Sequence, residues 1–176
     1  MLDFDKLFGF GEDAKYIYTV IEIPKDSSHK IEFNRDKKAF VLDRVEPAIF
    51  KKPVNYGFIP ATTDEDNDPL DTLVISDEPI GTGIVVKARV VAVLDFVDAG
   101  ENDYKIICVP EDDRHSGKHI KNLEDLTEQW KQQIEYHFNH YKDLKQVGTT
   151  NVRNWGNADD AWKIIRDCVK KYNTES

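Results

Sequence analysis

Three aspartates within six residues form the densest chemical feature of the sequence. Asp66, Asp68 and Asp71 lie in the segment DNDPLD, and an apolar run typical of a strand follows it. Pro69 pushes the backbone of Asp68 towards an extended conformation, so Asp66 and Asp68 can share one face. Carboxylates crowded in this way repel one another, and a hard divalent cation with oxygen ligands relieves the repulsion. A solvated turn is the simpler interpretation of most acidic loops. Here the restricted backbone holds the three carboxylates at fixed positions, which favours a cation site.

A calcium loop of the EF-hand type is the obvious alternative for this segment. Asp64, Asp66 and Asp68 match the first three ligand positions of such a loop. The sixth position requires glycine but is Pro69, and the twelfth requires glutamate but is Ile75. The flanking segments also have the pattern of strands, not helices, so the EF-hand interpretation is excluded.

A second acidic segment, residues 98–103 with the sequence DAGEND, ends a long apolar run and precedes Lys105. The segment is typical of a hairpin loop, and taken alone it is a polar turn. Two acidic loops of one small β domain can nevertheless meet at one end of a barrel. There they would hold two or more divalent ions.

Charged side chains also interrupt the apolar runs. Glu22 lies among large apolar residues, where a carboxylate needs a partner or a shifted pKa. Lys30 and Glu32 alternate with apolar residues and therefore point to one face of a strand, and Arg44 occurs in a third such run. Structural salt bridges are the simplest interpretation of each of these residues taken alone.

Short strands are the first elements that must position these groups. Runs rich in β-branched and aromatic residues, separated by turn residues, predict a small barrel or sandwich. The predicted strands cover residues 16–23, 30–33, 39–45, 71–75, 84–98 and 104–109.

Helices follow the strands. An apolar side chain at every third or fourth position predicts one long helix, and a second helix begins at the cap Asn157 and runs to about Tyr172. The apolar stripe of the first helix comprises Leu126, Trp130, Ile134, Phe138, Tyr141 and Leu144. The fold class is therefore α+β.

The composition predicts one globular domain over residues 1–176. No apolar stretch approaches the roughly 20 residues that span a bilayer, and the start MLDFD lacks the pattern of a signal peptide. We therefore expect a cytoplasmic protein without a membrane partner. The net charge of -9 disfavours a nucleic-acid partner and favours a cation-dependent site. Cys108 and Cys168 lack the spacing of a zinc site or a disulfide framework and are predicted to be buried thiols.

The motifs together resemble those of the family I soluble inorganic pyrophosphatases. The segment DNDPLD matches every fixed position of that family's D-x-D-P-x-D signature. Six further segments match in the family order, so the resemblance covers nearly the whole chain. They are Ile21–Pro24, Lys30–Glu32, Leu42–Arg44, Asn55–Gly57, Asp98–Lys105 and His140–Leu144.

The resemblance implies a five-stranded OB-like β-barrel covered by two C-terminal helices, and hydrolysis of pyrophosphate to two phosphates with Mg²⁺. It implies that Asp66, Asp71 and Asp103 bind activating ions. Asp98 and Glu32 would bind ions that arrive with the substrate, and Glu22 would orient the metal ligands from outside their coordination shell. Asp68 would be the general base, and a homohexamer is the implied assembly. The groups implied to hold the phosphoryl ends are Lys30, Arg44, Tyr56, Lys105, Tyr141 and Lys142.

The chain departs from the family pattern at three places. Lys52 stands where many members have a tyrosine, and Ala99 stands where a glutamate is common. Gly148 and Thr149 replace a common Lys-Trp pair. Phosphate release and closure of the site are the properties that these changes would affect, because the expected metal ligands are all present.

Two other functions fit parts of the sequence. A barrel of this type can bind single-stranded nucleic acid through aromatic and basic faces, although the acidic clusters oppose that function. A phosphatase or nucleotide hydrolase with two metal ions would use the same carboxylates. The absence of a glycine-rich phosphate loop from the sequence favours a small substrate.

Overall fold

The computed structural model describes Phe4 and residues 15–175. The start of the chain, on which the expectation of no signal peptide rests, lies outside these residues apart from Phe4. The strands are β1 Tyr16–Ile23, β2 His29–Asn34, β3 Ala39–Val45, β4 Asn55–Phe58, β5 Asp71–Val74, β6 Val85–Asp98, β7 Glu101–Asn102, β8 Lys105–Pro110 and β9 Thr150–Asn157. The helices are α1 Glu128–His140 and α2 Ala158–Glu175. Every strand that the sequence predicts is present, and β4, β7 and β9 are additional.

Five of the strands close into a ring. The order is β1, β4, β5, β8 and β6, and β6 pairs again with β1. Only the pairing of β5 with β8 is parallel within this ring, and it sets Asp71 opposite Lys105. β7 and β9 add to β6, while β2 and β3 form a separate hairpin. The expected five-stranded barrel is confirmed.

Alternate residues of the ring strands feed two apolar clusters, because successive side chains of a strand point to opposite faces. Ile106 of β8 packs in one cluster together with Ile165 of α2. Ile107, the next residue, packs in the other cluster together with Phe138 of α1. Each helix thus buries its apolar face against the barrel strands, as expected for the two C-terminal helices. Neither is long and apolar enough to cross a membrane, nor is any other helix among the described residues.

The sequence pattern locates the start of α2 correctly but not the end of α1. Asn157 caps α2 as predicted, because its side-chain oxygen accepts hydrogen bonds from the backbone N–H groups of Asp159 (2.8 Å) and Asp160 (3.1 Å). The predicted stripe of the first helix is longer than α1, since Leu126 precedes the helix and Tyr141 and Leu144 follow its end at His140. Leu144 is also 72% exposed. Leu144 lies in a turn beyond the helix, so its apolar spacing there is incidental.

Gly57 provides a stability test of the contact between β1 and β4. A Cβ atom at this position would lie 2.1 Å from the backbone oxygen of Val20, and a backbone atom cannot move aside as a flexible side chain can. We therefore expect Gly57→Ala to lower the free energy of unfolding by about 3 kcal/mol in denaturant titrations. Gly81→Ala is the control, because only one side-chain atom, 3.9 Å away, lies near the added methyl. Equal midpoints for the two variants would contradict the close contact.

Candidate active site

One cleft of about 980 Å³ is lined by every site residue that the sequence predicts. The residues come from both sheets, from the acidic loop before β5 and from the end of α1. The cleft therefore gathers separate parts of the chain. The set comprises Glu22, Lys30, Glu32, Arg44, Tyr56, Asp66, Asp68, Asp71, Asp98, Asp103, Lys105, Tyr141 and Lys142.

Lys105 is the centre of the acidic side of the cleft. Its side chain is 2% exposed, and its ammonium donates to a carboxylate oxygen of Asp71 (2.5 Å) and also pairs with Asp103. Burial alone would lower the pKa of Lys105, but the two carboxylates raise it above its usual value. The hydroxyl of Tyr56 donates to the same oxygen of Asp71 at 2.5 Å. The parallel register of β5 and β8 thus brings a lysine and two aspartates into one hydrogen-bonded group.

Asp103 and Asp68 keep their protons at higher pH than ordinary aspartates. Burial, followed by repulsion from Asp71, raises the pKa of Asp103 to about 6, although Lys105 opposes the change. Burial, followed by repulsion from Asp66 and Asp71, also raises the pKa of Asp68. The carboxylates of the two segments therefore destabilise one another's charge, as expected if they share a site for a cation.

The loop of residues 64–68 holds Asp66 and Asp68 at the mouth of the cleft, where both side chains are exposed. The backbone N–H of Asp64 donates to the carbonyl of Asp68 at 2.8 Å, which closes the loop. The N–H of Asp68 donates to the side chain of Asp66 at 3.0 Å, in the short-range pattern typical of aspartate turns. This bonding fixes the spacing of the two carboxylates.

Glu22 lies at the back of the cleft and is buried. Its carboxylate accepts a hydrogen bond from the backbone N–H of Phe33 at 2.6 Å, which joins β1 to the β2–β3 hairpin. Burial, with smaller contributions from the charges of Asp71 and Glu32, raises the pKa of Glu22 to about 8. Glu32 itself pairs with Lys30 at 2.6 Å on β2, and both remain partly exposed.

Asp98 and its partners form another part of the cleft lining. The hydroxyl of Tyr141 donates to Asp98 at 2.9 Å, and the ammonium of Lys142 donates to it at 2.6 Å. Both partners directly follow α1, so the end of this helix is bonded to the end of β6. Arg44 projects from β3 and is bonded to Asp43 and Glu46, each at 2.5 Å.

Lys52, which stands where a tyrosine is common and whose charge could attract phosphate, also lines the cleft. Its ammonium lies over the rings of Tyr56 (4.8 Å), Tyr141 (5.1 Å) and Phe138 (5.4 Å), and 3.5 Å from a ring nitrogen of His137. Burial, followed by repulsion from nearby lysines, lowers the pKa of Lys52 to about 7. The only sequence signal for this residue is its departure from the tyrosine common in similar proteins.

The chemistry of the donors fits a hard divalent cation, because the acidic side of the cleft offers carboxylate oxygens whose charges repel one another. Among the described residues, no group of three or more acidic, histidine or cysteine side chains is spaced to hold an ion as it stands. Asp71 and Asp103 are bonded to Lys105 instead. A metal ion would therefore compete with this ammonium for the two carboxylates.

Comparisons with known proteins agree over most of the chain. A family model described as inorganic pyrophosphatase matches residues 19–173. The chain is 53% identical over 177 residues to an inorganic pyrophosphatase of Neisseria meningitidis serogroup A, and the match covers 100% of both chains.

Solved structures give the same result. An inorganic pyrophosphatase from Neisseria gonorrhoeae has a TM-score of 0.93 and 53% identity, with 97% of this chain and 99% of that chain covered. The inorganic pyrophosphatase of Thermus thermophilus has a TM-score of 0.87 and 37% identity, with 93% and 95% covered. The motif resemblance is confirmed, and this chain belongs to the inorganic pyrophosphatase family.

Proposed function

We propose that this protein hydrolyses inorganic pyrophosphate to two phosphates with Mg²⁺, using Asp68 as the general base and no covalent intermediate. Membership of the pyrophosphatase family supports the overall reaction. The observation that carries the mechanism is that crowded carboxylates and several cationic side chains line the same cleft. A small, highly charged phosphoanhydride needs both parts, because its oxygens bind cations while water attacks phosphorus.

Asp66, Asp71 and Asp103 are the proposed ligands of the activating ions, with Asp98 and Glu32 serving ions that enter with the substrate. Bound Mg²⁺ supplies charge neutralisation and makes water more acidic. Glu22 supports this set from behind through its bond to the β2–β3 hairpin. Lys105 keeps Asp71 and Asp103 close together until an ion is bound.

Asp68 receives the proton in the proposed step. The water oxygen forms a bond to one phosphorus in line with the bridging oxygen. The bridging P–O bond then breaks, and its electron pair stays on the departing phosphate. The raised pKa of Asp68 makes it a better proton acceptor than an ordinary aspartate, because a base works best when its pKa approaches the working pH.

The cationic side chains of the cleft, together with two tyrosines, are proposed to hold the two phosphoryl groups. Fixed positive charge opposite the developing negative charge is usually the largest contribution to phosphoryl transfer. The two tyrosine hydroxyls, which donate to Asp71 and Asp98 in the structure, are proposed to donate to the phosphoryl oxygens instead when substrate is bound. The proposed set is Lys30, Arg44, Tyr56, Lys105, Tyr141 and Lys142.

The substrate assignment is tested by supplying pyrophosphate, ATP and a phosphate monoester with Mg²⁺ and measuring released phosphate. We expect pyrophosphate to be cleaved far faster than the others and a chelator to stop the reaction. Faster release from ATP or the monoester would favour a broader two-metal phosphatase. Retention of labelled single-stranded nucleic acid at moderate salt, without phosphate release, would favour a binding module.

Lys52 gives a pH-dependent prediction. Because its pKa is lowered to about 7, it is charged at pH 6 and largely neutral at pH 9. If it contacts substrate, Lys52→Met should raise the KM for pyrophosphate about tenfold at pH 6, since a hydrogen bond to a charged group contributes about 1.5–3 kcal/mol. The ratio of variant to wild-type KM should fall towards one at pH 9.

The control for this measurement is Lys51→Met, which removes the exposed neighbouring charge. We expect its KM to follow the wild-type value at every pH. A Lys52→Met ratio that is constant from pH 6 to pH 9, or equal to that of Lys51→Met, would exclude direct substrate binding by Lys52.

We further propose that residues 1–176 form one domain, that the protein is cytoplasmic and that it forms a homohexamer without nucleic-acid or membrane partners. Light scattering during size-exclusion chromatography tests the assembly. A mass six times that of the 20.3 kDa chain is expected, and a monomer mass would refute the hexamer.

A further inference from the structure

The last turns of α2 contact the acidic loop of residues 64–68 from outside the cleft. The ammonium of Lys171 donates to the backbone carbonyl of Asp64 at 2.5 Å and to the side-chain oxygen of Asn67 at 3.2 Å. One turn earlier, the carbonyl of Cys168 accepts a hydrogen bond from the backbone N–H of Thr63 at 3.1 Å. The helix is thus bonded to the loop at two points and to the residue before the loop at a third.

Asp64 is the fixed end of this loop. It is 4% exposed, and its side chain accepts a weak hydrogen bond from the thiol of Cys168 at 3.7 Å. The carbonyl that receives Lys171 also accepts the N–H of Asn67 at 3.1 Å, while the N–H of Asp64 reaches the carbonyl of Asp68. A displacement of Asp64 would therefore move Asp68.

Asn67 sets the turn of the loop. Its φ is 69°, in the left-handed region, which asparagine adopts more readily than most non-glycine residues. The residues between Asp64 and Pro69 are exposed and have little packing to hold this backbone in place. The ammonium of Lys171 bonds both Asp64 and Asn67 and is therefore the contact best placed to hold this backbone.

We propose that Lys171 is a positioning residue, which fixes the acidic loop on α2 and thereby sets the place of Asp68 and Asp66 in the cleft. The proposal rests on the proposed function, because it assigns those two aspartates their roles. Lys171 touches neither substrate nor the reacting atoms. Its effect is geometric, since a misplacement of about 1 Å in a catalytic group can cost about 100-fold in rate.

The proposal is tested with Lys171→Met, which keeps the length of the side chain and removes its donor. We expect kcat for pyrophosphate to fall between about 10-fold and 100-fold, with KM within about twofold of wild type. Lys171→Arg should recover most of the loss, because a guanidinium can donate to both oxygens. The matched control is Lys170→Met, which removes a 75% exposed lysine that pairs with Asp167 of the same helix.

A purely structural role would lower the unfolding temperature of Lys171→Met but leave kcat at 25 °C unchanged, and that result overturns the proposal. If Lys171→Met does not fold, Asn67→Gly decides, because it removes one acceptor of Lys171 and tolerates the left-handed backbone. A fall in its kcat supports the proposal, and a wild-type kcat overturns it.

Asp68→Asn is measured in parallel. If it keeps full turnover, the proposed function fails; if it loses turnover while Lys171→Met does not, only the positioning role fails.

Discussion

Asp68→Asn should lower kcat for pyrophosphate by about 10²- to 10⁴-fold, the range that a general base contributes. The substitution keeps the shape of the side chain and removes its ability to take a proton. Because Asp68 is exposed at the mouth of the cleft, the variant should fold normally. Steady-state kinetics at saturating Mg²⁺, together with thermal unfolding, measure both expectations.

Asp112→Asn is the matched control for this variant. The side chain of Asp112 is 77% exposed and pairs with Arg114, and neither residue lines the cleft. Its kcat should equal that of the wild type. An Asp68→Asn variant whose kcat is unchanged, or whose defect disappears at high substrate concentration, would contradict the assignment of Asp68 as the base.

Asp71→Asn should have a different effect, namely an increase of at least about tenfold in the Mg²⁺ concentration that gives half-maximal activity. Asp71 is one of the three proposed ligands of the activating ions, and an amide oxygen without net charge is a weaker ligand than a carboxylate. Isothermal titration with Mg²⁺ in the absence of substrate measures the same change directly.

The contrast between the two variants is more informative than either alone. If Asp68→Asn weakened Mg²⁺ binding and Asp71→Asn only slowed turnover, the two roles would be reversed. Equal effects on both quantities would mean that the loop acts as one unit, and the separate assignments of base and ligand would fail.

The barrel could be predicted in outline because its strands carry strong local signals. The limits of β1 and β3 agree with the pattern, since both are β-branched or aromatic runs that end at turn residues. β4 has only four residues and includes Gly57, so neither length nor propensity reveals it. β9 has several exposed polar side chains and is a strand because it pairs with β6. Tertiary pairing, not local preference, decides such segments.

The candidate site could also be predicted only in part. The motifs predict which residues belong to the cleft, and all of them line it. They do not predict the bonds among those residues, such as the pairing of Asp98 with Lys142, which are 44 positions apart. The contacts of Lys52 with three aromatic rings depend on how α1 packs beside β4, and the contact of Lys171 with the acidic loop depends on where α2 ends. Neither distance can be inferred from the spacing of residues along the chain.

Diffraction from crystals soaked in Mn²⁺, recorded at a wavelength where manganese scatters anomalously, tests whether Asp66, Asp71 and Asp103 bind neighbouring cations. Mn²⁺ is a hard cation that prefers oxygen ligands, as Mg²⁺ does. We expect anomalous peaks within about 2.0–2.6 Å of carboxylate oxygens of these three aspartates. Crystals of active protein that show Mn²⁺ bound elsewhere, with Lys105 still bonded to Asp71 and Asp103, would contradict this expectation.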